Sequence, residues 1–150
     1  MRFVIQRVKN AFVETEEGII GQINTGCMVL IGVCADDDKQ TADKLVRKML
    51  GLRIFEDEQG KTNLSLDSVG GSLLLVSQFT LYADCKKGNR PSFINAGSPE
   101  HAEDLYNYIV SSCRNAIGND RVAVGSFGAH MAVSLINNGP FTIILDSDQL

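Results

Sequence analysis

The sequence lacks the residue patterns by which most hydrolytic enzymes are recognised. It contains only two histidines, His101 and His130, and no motif pairs either of them with a carboxylate. A G-x-S-x-G nucleophile elbow and a Walker phosphate loop are both absent. His101 falls in the first turn of a predicted helix, where a surface or capping role is expected, and His130 falls at a strand start, where it could face a site. The sequence therefore gives no indication of a catalytic triad.

Paired cysteines are also missing. The four cysteines are Cys27, Cys34, Cys85 and Cys113, and none belongs to a C-x-x-C pair. Cys27 and Cys34 are predicted to lie seven residues apart on one strand, and an odd offset points two side chains to opposite faces. This spacing does not suit zinc. We expect reduced thiols, no metal and no cofactor.

Long apolar runs and a positive net charge are absent too. No apolar run approaches the roughly 18 residues of a membrane span, and the first residues lack the apolar core of a signal peptide. We therefore expect a soluble, cytoplasmic protein. The net charge of −4 argues against a broad basic surface that binds nucleic acid, but a local basic patch could still bind one end of an RNA. Lys86, Lys87 and Arg90 are interpreted as the only local concentration of positive charge.

The patterning that is present predicts one mixed α/β domain with largely antiparallel, barrel-like β-sheets of about eight strands and two main flanking helices. At 44% hydrophobic residues, a chain of 150 residues can bury a core of its own. Helical spacing of apolar residues predicts a helix over about 39–53, and Ser98-Pro99 predicts the start of a second helix that Gly118 ends. Strands are predicted over 2–14, 19–23, 27–34, 54–57, 61–66, 73–77, 121–125, 131–136 and 141–145.

Polar side chains follow one of these strands abruptly. Residues 73–76 form a wholly apolar run, and Ser77, Gln78, Phe79 and Thr80 come next. The polar groups are either core groups bonded to neighbouring backbone or the start of a site. Alternation sends Ser77 and Thr80 to opposite faces, so they can line one pocket only if the strand ends or bulges within the motif. The freed N–H groups would then be able to hold a carbonyl oxygen as it gains negative charge.

A second interruption of an apolar strand pattern occurs late in the chain, at residues 137–142. Its centre is Gly139-Pro140, which breaks sheet pairing because proline lacks an N–H and glycine permits unusual torsions. A plain turn between two strands is one interpretation. The other interpretation is a segment that exposes main-chain carbonyls with few side-chain atoms around them, and such a surface could recognise the shape of a bound molecule.

These stretches, together with three others, resemble the D-aminoacyl-tRNA deacylase family, which is also called D-tyrosyl-tRNA deacylase. The matching segments, in the family's order, are MRFVIQRV (1–8), SQFTL (77–81), KGNRPSF (87–93), GSFGAHM (125–131) and NGPFT (138–142). The resemblance implies a homodimeric enzyme that hydrolyses the ester between a D-amino acid, or glycine, and the 3′ end of tRNA. A sister family carries Pro-Gln-Ala-Thr in place of the first motif, so Ser77 and Phe79 indicate the chirality-checking branch.

The resemblance also implies roles for particular residues. Ser77, Gln78, Phe79 and Thr80 would form the catalytic site, and a cis Gly139-Pro140 segment would enter it from the partner subunit. The carbonyls of that segment would hold the substrate amino group and leave no space for an L side chain. Two mechanisms stay open: the Thr80 hydroxyl is the nucleophile, or the neighbouring ribose 2′-OH assists attack by water while the Phe79 and Thr80 amides polarise the carbonyl.

Further residues are candidates for binding the RNA. Phe127, Met131 and Phe141, together with Phe79, could line a pocket for the terminal adenosine, with core packing as the alternative. Lys86, Lys87 and Arg90 could contact acceptor-stem phosphates, with an exposed charged loop as the alternative. A nucleic-acid-binding module without turnover and a generic esterase are the competing functions, and the second would need an activated nucleophile that the sequence does not show.

Overall fold

The structure, a computed structural model, describes all residues from 1 to 150. The strands are β1 (Arg2–Thr15), β2 (Gly18–Ile23), β3 (Gly26–Gly32), β4 (Phe55–Glu56), β5 (Thr62–Leu64), β6 (Ser72–Ser77), β7 (Val122–Val124) and β8 (Ala132–Asp146). The two long helices are α1 (Lys39–Leu50) and α2 (Pro99–Ile117). Neither helix is long and apolar enough to cross a membrane. The mixed α/β class predicted from the sequence is confirmed.

Six strands form one sheet in the order β2-β1-β3-β6-β7, and β8 pairs with β1 along its length. β1 runs antiparallel to β2, β3 and β8, but β3, β6 and β7 are parallel. The prediction of largely antiparallel pairing is therefore wrong for the half that contains residues 73–77. Parallel neighbours need long crossovers, here supplied by α1 and α2, and they suit continuous apolar runs such as residues 73–76.

The sheet curls until its two ends nearly meet. A Cβ placed on Gly21 of β2 would lie only 2.5 Å from the carbonyl oxygen of Val124 in β7, so only glycine permits this approach. The barrel-like shape predicted for the sheet is thus confirmed. The helices pack on it over the main core, which includes Phe3, Leu45 and Ile109.

The two helices begin where their capping residues predict. Asp38 accepts a hydrogen bond from the Thr41 amide at the start of α1, and Ser98 accepts one from the His101 amide at the start of α2. Asp37, the residue before the Asp38 cap, is buried and contacts the Met1 amino group at 2.6 Å. A local cap was readable from the sequence, whereas the long-range ion pair was not.

The cysteines do not lie as the spacing suggested. β3 ends at Gly32, so Cys34 lies beyond the strand and the alternation argument does not apply to it. Burial raises the pKa of the Cys27 thiol and of the Cys113 thiol to about 12. Both are therefore protonated at neutral pH and unsuited to nucleophilic attack, for which the thiolate is needed.

Candidate active site

The site is built where β6 stops. The strand ends at Ser77, Gln78 follows with φ −144° and ψ 82°, and a short 3-10 helix covers Phe79–Tyr82. The Gln78 amide still donates to the carbonyl of Ile31 in β3 at 2.7 Å, so the sheet anchors the start of the turn. The strand therefore ends within the Ser77–Thr80 motif, which is one of the two conditions under which the motif could line a pocket.

A cavity of about 500 Å³ opens at this strand end. It is walled by the end of β6, the loop before α2, the first turn of α2 and the segment before β8. The lining residues are Val76, Ser77, Gln78, Phe79, Phe93, Ala96, Gly97, Pro99, Ala102, Phe127, Gly128, Ala129, His130, Met131 and Val133. Its volume falls in the range of small-molecule sites, and most of its lining is apolar. Of the predicted residues, the structure brings together Ser77, Gln78, Phe79, Phe127 and Met131.

Two phenylalanines stand at the mouth of the cavity. Phe79 is 53% exposed, and its ring meets that of Phe93 edge to face with 5.0 Å between centroids. Large apolar side chains at a cavity mouth, rather than scattered singly, mark a binding surface. Phe93 was not singled out from the sequence, although it closes the KGNRPSF segment and could have been identified there.

Few ionisable groups line the cavity, and the first amides of a short helix lie beside it. His130 is the only ionisable side chain among the lining residues, and no aspartate, glutamate, lysine or arginine lines it. Phe79 and Thr80 begin the 3-10 helix, and the first amides of any helix have no acceptor within it. Such amides can hold a developing oxyanion.

Thr80 lies beside the cavity rather than in its lining. Its side chain is exposed, and its hydroxyl accepts a hydrogen bond of 2.5 Å from the Gln78 carboxamide. A nucleophilic hydroxyl needs a neighbour that takes its proton, whereas the Gln78 amide nitrogen only donates. The local geometry therefore provides no activation for Thr80.

The Gly139-Pro140 segment is a bulge in β8 rather than a break between two strands. Gln6 pairs with Thr142 and Val8 pairs with Asn137, so four residues of β8 stand opposite one residue of β1. Gly139 and Pro140 are exposed, the peptide bond between them is cis, and neither lines the cavity of its own chain. The predicted break between two separate strands is therefore wrong, since one strand continues beside β1 on both sides of the bulge.

The single β1 residue opposite this bulge is Arg7, which is only 5% exposed. Its Nε donates to the Asn138 carbonyl at 2.9 Å, and its Nη1 donates to the Ile54 carbonyl at 2.6 Å. Its guanidinium lies 4.6 Å from the centroid of the Phe141 ring. Phe141 therefore packs under Arg7 and not beside Phe127 and Met131, because the bulge turns its ring toward β1.

Arg7 was overlooked in the sequence, although a signal existed. It continues the alternation of Phe3 and Ile5, both buried, so its position on the strand predicts an inward side chain. A charged residue on an inward position needs partners. Those partners are carbonyls of distant segments, and no sequence pattern indicates them.

The three predicted phosphate contacts lie away from the cavity lining. Lys86, Lys87 and Arg90 are exposed in the loop between the 3-10 helix and α2. Mutual backbone hydrogen bonds between Asp84 and Ser92, at 2.7 and 2.9 Å, close the base of this loop. Phe93, which lines the cavity, lies just beyond the base of this loop, so the loop begins and ends close to the cavity mouth.

Comparisons with known proteins agree along the whole chain. Residues 4–146 match the model of a family described as D-Tyr-tRNA(Tyr) deacylase. The chain is 53% identical over 150 residues to a D-aminoacyl-tRNA deacylase of Thermosipho africanus, covering 100% of this chain and 99% of that protein. It is 52% identical over 149 residues to a D-aminoacyl-tRNA deacylase of Clostridioides difficile, covering 99% of each.

Solved structures give the same fold. The chain is similar to a structure named c-Myc DNA Unwinding Element Binding Protein, with a TM-score of 0.93, 39% identity, and coverage of 97% of this chain and 98% of the other. It is also similar in fold to a probable eukaryotic D-amino acid tRNA deacylase, with a TM-score of 0.84, 19% identity, and coverage of 96% and 97%.

Proposed function

This chain belongs to the D-Tyr-tRNA(Tyr) deacylase family, and on that premise we propose that it hydrolyses the ester bond joining a D-amino acid to the 3′ end of tRNA. Glycine, which has no side chain to exclude, is a further substrate. The enzyme removes mischarged amino acids in the cytoplasm, where aminoacyl-tRNA is used. The observation that carries this proposal in the structure is the cavity at the end of β6, with free amides beside it and no acid–base pair.

The chemistry follows from what the cavity offers. The amides of Phe79 and Thr80 polarise the ester carbonyl and stabilise the oxyanion as water attacks. The ribose 2′-OH next to the ester relays a proton: it accepts one from the attacking water and gives its own to the 3′ oxygen as the ester C–O bond breaks, a transfer that no protein side chain is placed to make. The terminal adenine lies against the apolar wall formed by Phe127 and Met131, with the Phe79 ring at the mouth available for stacking.

A second copy of the chain completes the site. The Gly139-Pro140 segment projects from β8, and Ile136 and Ile144 on the same strand are 51% and 61% exposed. Exposed apolar side chains along one long edge strand are suited to a partner, and a twofold contact would bring each bulge to the other subunit. In this dimer the bulge enters the partner's cavity beside residues 77–80.

Chirality is checked by exclusion. Arg7 and the surrounding main chain hold the bulge rigidly, so its carbonyls present a wall without a movable side chain. A D side chain points away from this wall and an L side chain points into it, which is selection by rejecting the wrong substrate. Because the D side chain needs no pocket of its own, many D-amino acids should be accepted.

The direct test is release of tyrosine from D- and L-tyrosyl-tRNA. We expect D-tyrosyl-tRNA to be deacylated at least about 1,000-fold faster, since an isomer that clashes with rigid backbone cannot reach the transition state. Both rates are measured from the radiolabelled tyrosine that is still precipitated by acid together with the tRNA at successive times. If the protein binds uncharged tRNA but releases amino acid from neither ester, it is a nucleic-acid-binding module and not an enzyme. If it deacylates D- and L-tyrosyl-tRNA at equal rates, the Gly139-Pro140 segment does not exclude the L side chain.

The dimeric site predicts complementation between two inactive variants. Phe79→Pro removes one proposed oxyanion donor, and Gly139→Ala places a Cβ only 2.7 Å from the Phe141 amide nitrogen at a residue with φ +150°. Each variant alone should be nearly inactive. Mixing them under subunit exchange should restore roughly a quarter of wild-type activity, because half the dimers are mixed and each has one intact site.

Sedimentation accompanies this experiment and should give twice the 16.3-kDa chain mass. As a control, each variant is taken through the same subunit-exchange procedure alone, and it should stay inactive. A mixture that stays inactive although mixed dimers form would contradict the contribution of Gly139 to the partner's site.

A further inference from the structure

A second concentration of positive charge lies on α1 and just after it. Lys44, Arg47, Lys48 and Arg53, here called the α1 basic cluster, are all exposed. They surround an open depression of about 500 Å³ that also includes Leu52 and Leu150. The expectation that Lys86, Lys87 and Arg90 are the only local concentration of charge is therefore wrong. The helical pattern was interpreted only for its buried face, so its charged face was overlooked.

Three of the four members of the α1 basic cluster have no acidic partner within the chain. The three ion pairs of the structure join Met1 to Asp37, Arg2 to Asp146 and Arg121 to Asp67, and none includes a member of the cluster. Asp43, a carboxylate on the same helix, is engaged by the Tyr108 hydroxyl at 2.8 Å. Lys44 donates to a main-chain oxygen of Leu150, the last residue, where a terminal carboxylate offsets its charge, and Arg53 donates to the Asn63 carbonyl at 2.8 Å. The charges of Arg47, Lys48 and Arg53 are therefore left without an ionic partner in the chain.

Helix stability alone does not account for four such charges. Arg47 and Lys48 lie in the last turn of α1, where cations favour the helix dipole. Lys44 lies a turn earlier and Arg53 lies beyond the helix, so the dipole does little for either of them. Lys44 and Lys48 are also four residues apart on one face, where like charges repel and destabilise the helix. An external polyanion would turn this repulsion into attraction.

We propose that the α1 basic cluster binds the sugar–phosphate backbone of the tRNA substrate, away from its aminoacyl end. The inference rests on the function proposed above, whose substrate is a polyanion much larger than the cavity. Arginine's planar fork matches phosphate oxygens, and two of the four residues are arginines. The partner is thus the double-stranded body of the tRNA and not the terminal nucleotide.

The distance between the α1 basic cluster and the cavity agrees with binding of the tRNA body at the first and of the terminal nucleotide at the second. The first turn of α2, at Pro99 and Ala102, lines the cavity, and Tyr108 farther along α2 contacts α1 through Asp43. The helix rises about 14 Å over the nine steps from Pro99 to Tyr108, and crossing to α1 adds about 10 Å. The cluster lies on the order of 20 Å from the cavity, a reach that suits the stem of the substrate and exceeds one nucleotide.

The test compares two doubly substituted proteins that lose the same charge. Arg47→Gln with Lys48→Gln removes half of the cluster, and Lys9→Gln with Lys61→Gln removes two exposed cations elsewhere. For the cluster variant we expect KM for D-tyrosyl-tRNA to rise about tenfold with kcat unchanged. The salt slope for binding uncharged tRNA should fall by roughly 1.4–1.8, the loss of two phosphate contacts. The control pair should change neither value.

Three further measurements make the result decisive. Turnover of D-tyrosyl-adenosine, which has no stem, should be unaffected by the cluster variant, and the charge-keeping exchange Arg47→Lys with Lys48→Arg should restore most of the tRNA affinity. An unchanged salt slope and KM in the cluster variant would overturn the inference while leaving the proposed function intact. The inference would also be overturned if the cluster variant lost as much activity on D-tyrosyl-adenosine as on D-tyrosyl-tRNA. A wild-type protein that releases no amino acid at all would instead refute the proposed function.

Discussion

A D-tyrosyl-tRNA whose terminal adenosine lacks the 2′-hydroxyl is expected to be deacylated roughly 10²–10³-fold more slowly than the normal substrate, the contribution of a positioned proton-transfer group. The reason is the composition of the cavity, whose only ionisable lining side chain is His130. Water attacking the ester must lose a proton, and the substrate's own hydroxyl is the group next to the reacting carbonyl. Single-turnover rates on tRNA ending in 2′-deoxyadenosine measure the effect.

Two protein variants serve as controls for this result. Thr80→Ala should keep turnover within about threefold of wild type, because the Thr80 hydroxyl is bound by the Gln78 amide and has no neighbour to take its proton. His130→Ala should do the same, since His130 is exposed and has no hydrogen-bond partner that orients it. Abolished turnover in Thr80→Ala, together with normal turnover of the 2′-deoxy substrate, would establish Thr80 as the nucleophile.

The affinity of the deoxy substrate separates binding from chemistry. The 2′-hydroxyl could also contribute to binding, in which case its loss would raise KM and leave the single-turnover rate at saturation unchanged. We expect the opposite, a fall in the saturated rate with little change in KM, because the hydroxyl acts only as the oxyanion forms.

The parts of the site that could be predicted from the sequence are those set by local chemistry. The end of β6 was evident because polar side chains replace apolar ones at Ser77, and the start of α2 was evident from Ser98 and Pro99. Both features depend on residues within a few positions of one another, so a pattern contains them completely.

The parts that were missed depend on residues far apart in the chain. The parallel pairing of β3 with β6 joins segments about 45 residues apart, and hydrophobic pattern alone does not identify a neighbour. Residues 137–140 were correctly seen to interrupt a strand. That the strand resumes beside β1, with Phe141 under Arg7, follows from tertiary contacts that the sequence does not display.

Replacing Arg7 by methionine is expected to cost about 2–5 kcal/mol of unfolding free energy, since two carbonyls lose a charged donor. Those carbonyls belong to Asn138 and Ile54, and the contact with the Phe141 ring is lost as well. Methionine fills much of the arginine volume, which limits the cavity left behind. Urea unfolding measures this effect directly.

The larger consequence of Arg7→Met should be functional. Without its donor to the Asn138 carbonyl, the bulge at Gly139 and Pro140 is free to shift, and a shift of about 1 Å in a positioning element can cost roughly 100-fold in rate. We expect D-tyrosyl-tRNA turnover to fall by about that factor. Discrimination against L-tyrosyl-tRNA should weaken too, because a wall that moves no longer excludes the L side chain.

The matched control is Arg121→Met, which removes a comparable arginine from a different place. Arg121 donates to the Gly71 carbonyl through two nitrogens, at 2.9 and 2.8 Å, and pairs with Asp67. Its loss should destabilise the fold without touching the bulge, so turnover and chiral discrimination measured well below the unfolding transition should stay close to wild type. If Arg7→Met retained full discrimination while losing stability, Arg7 would be a structural residue only, and the rigidity of the wall would have to come from elsewhere in β8.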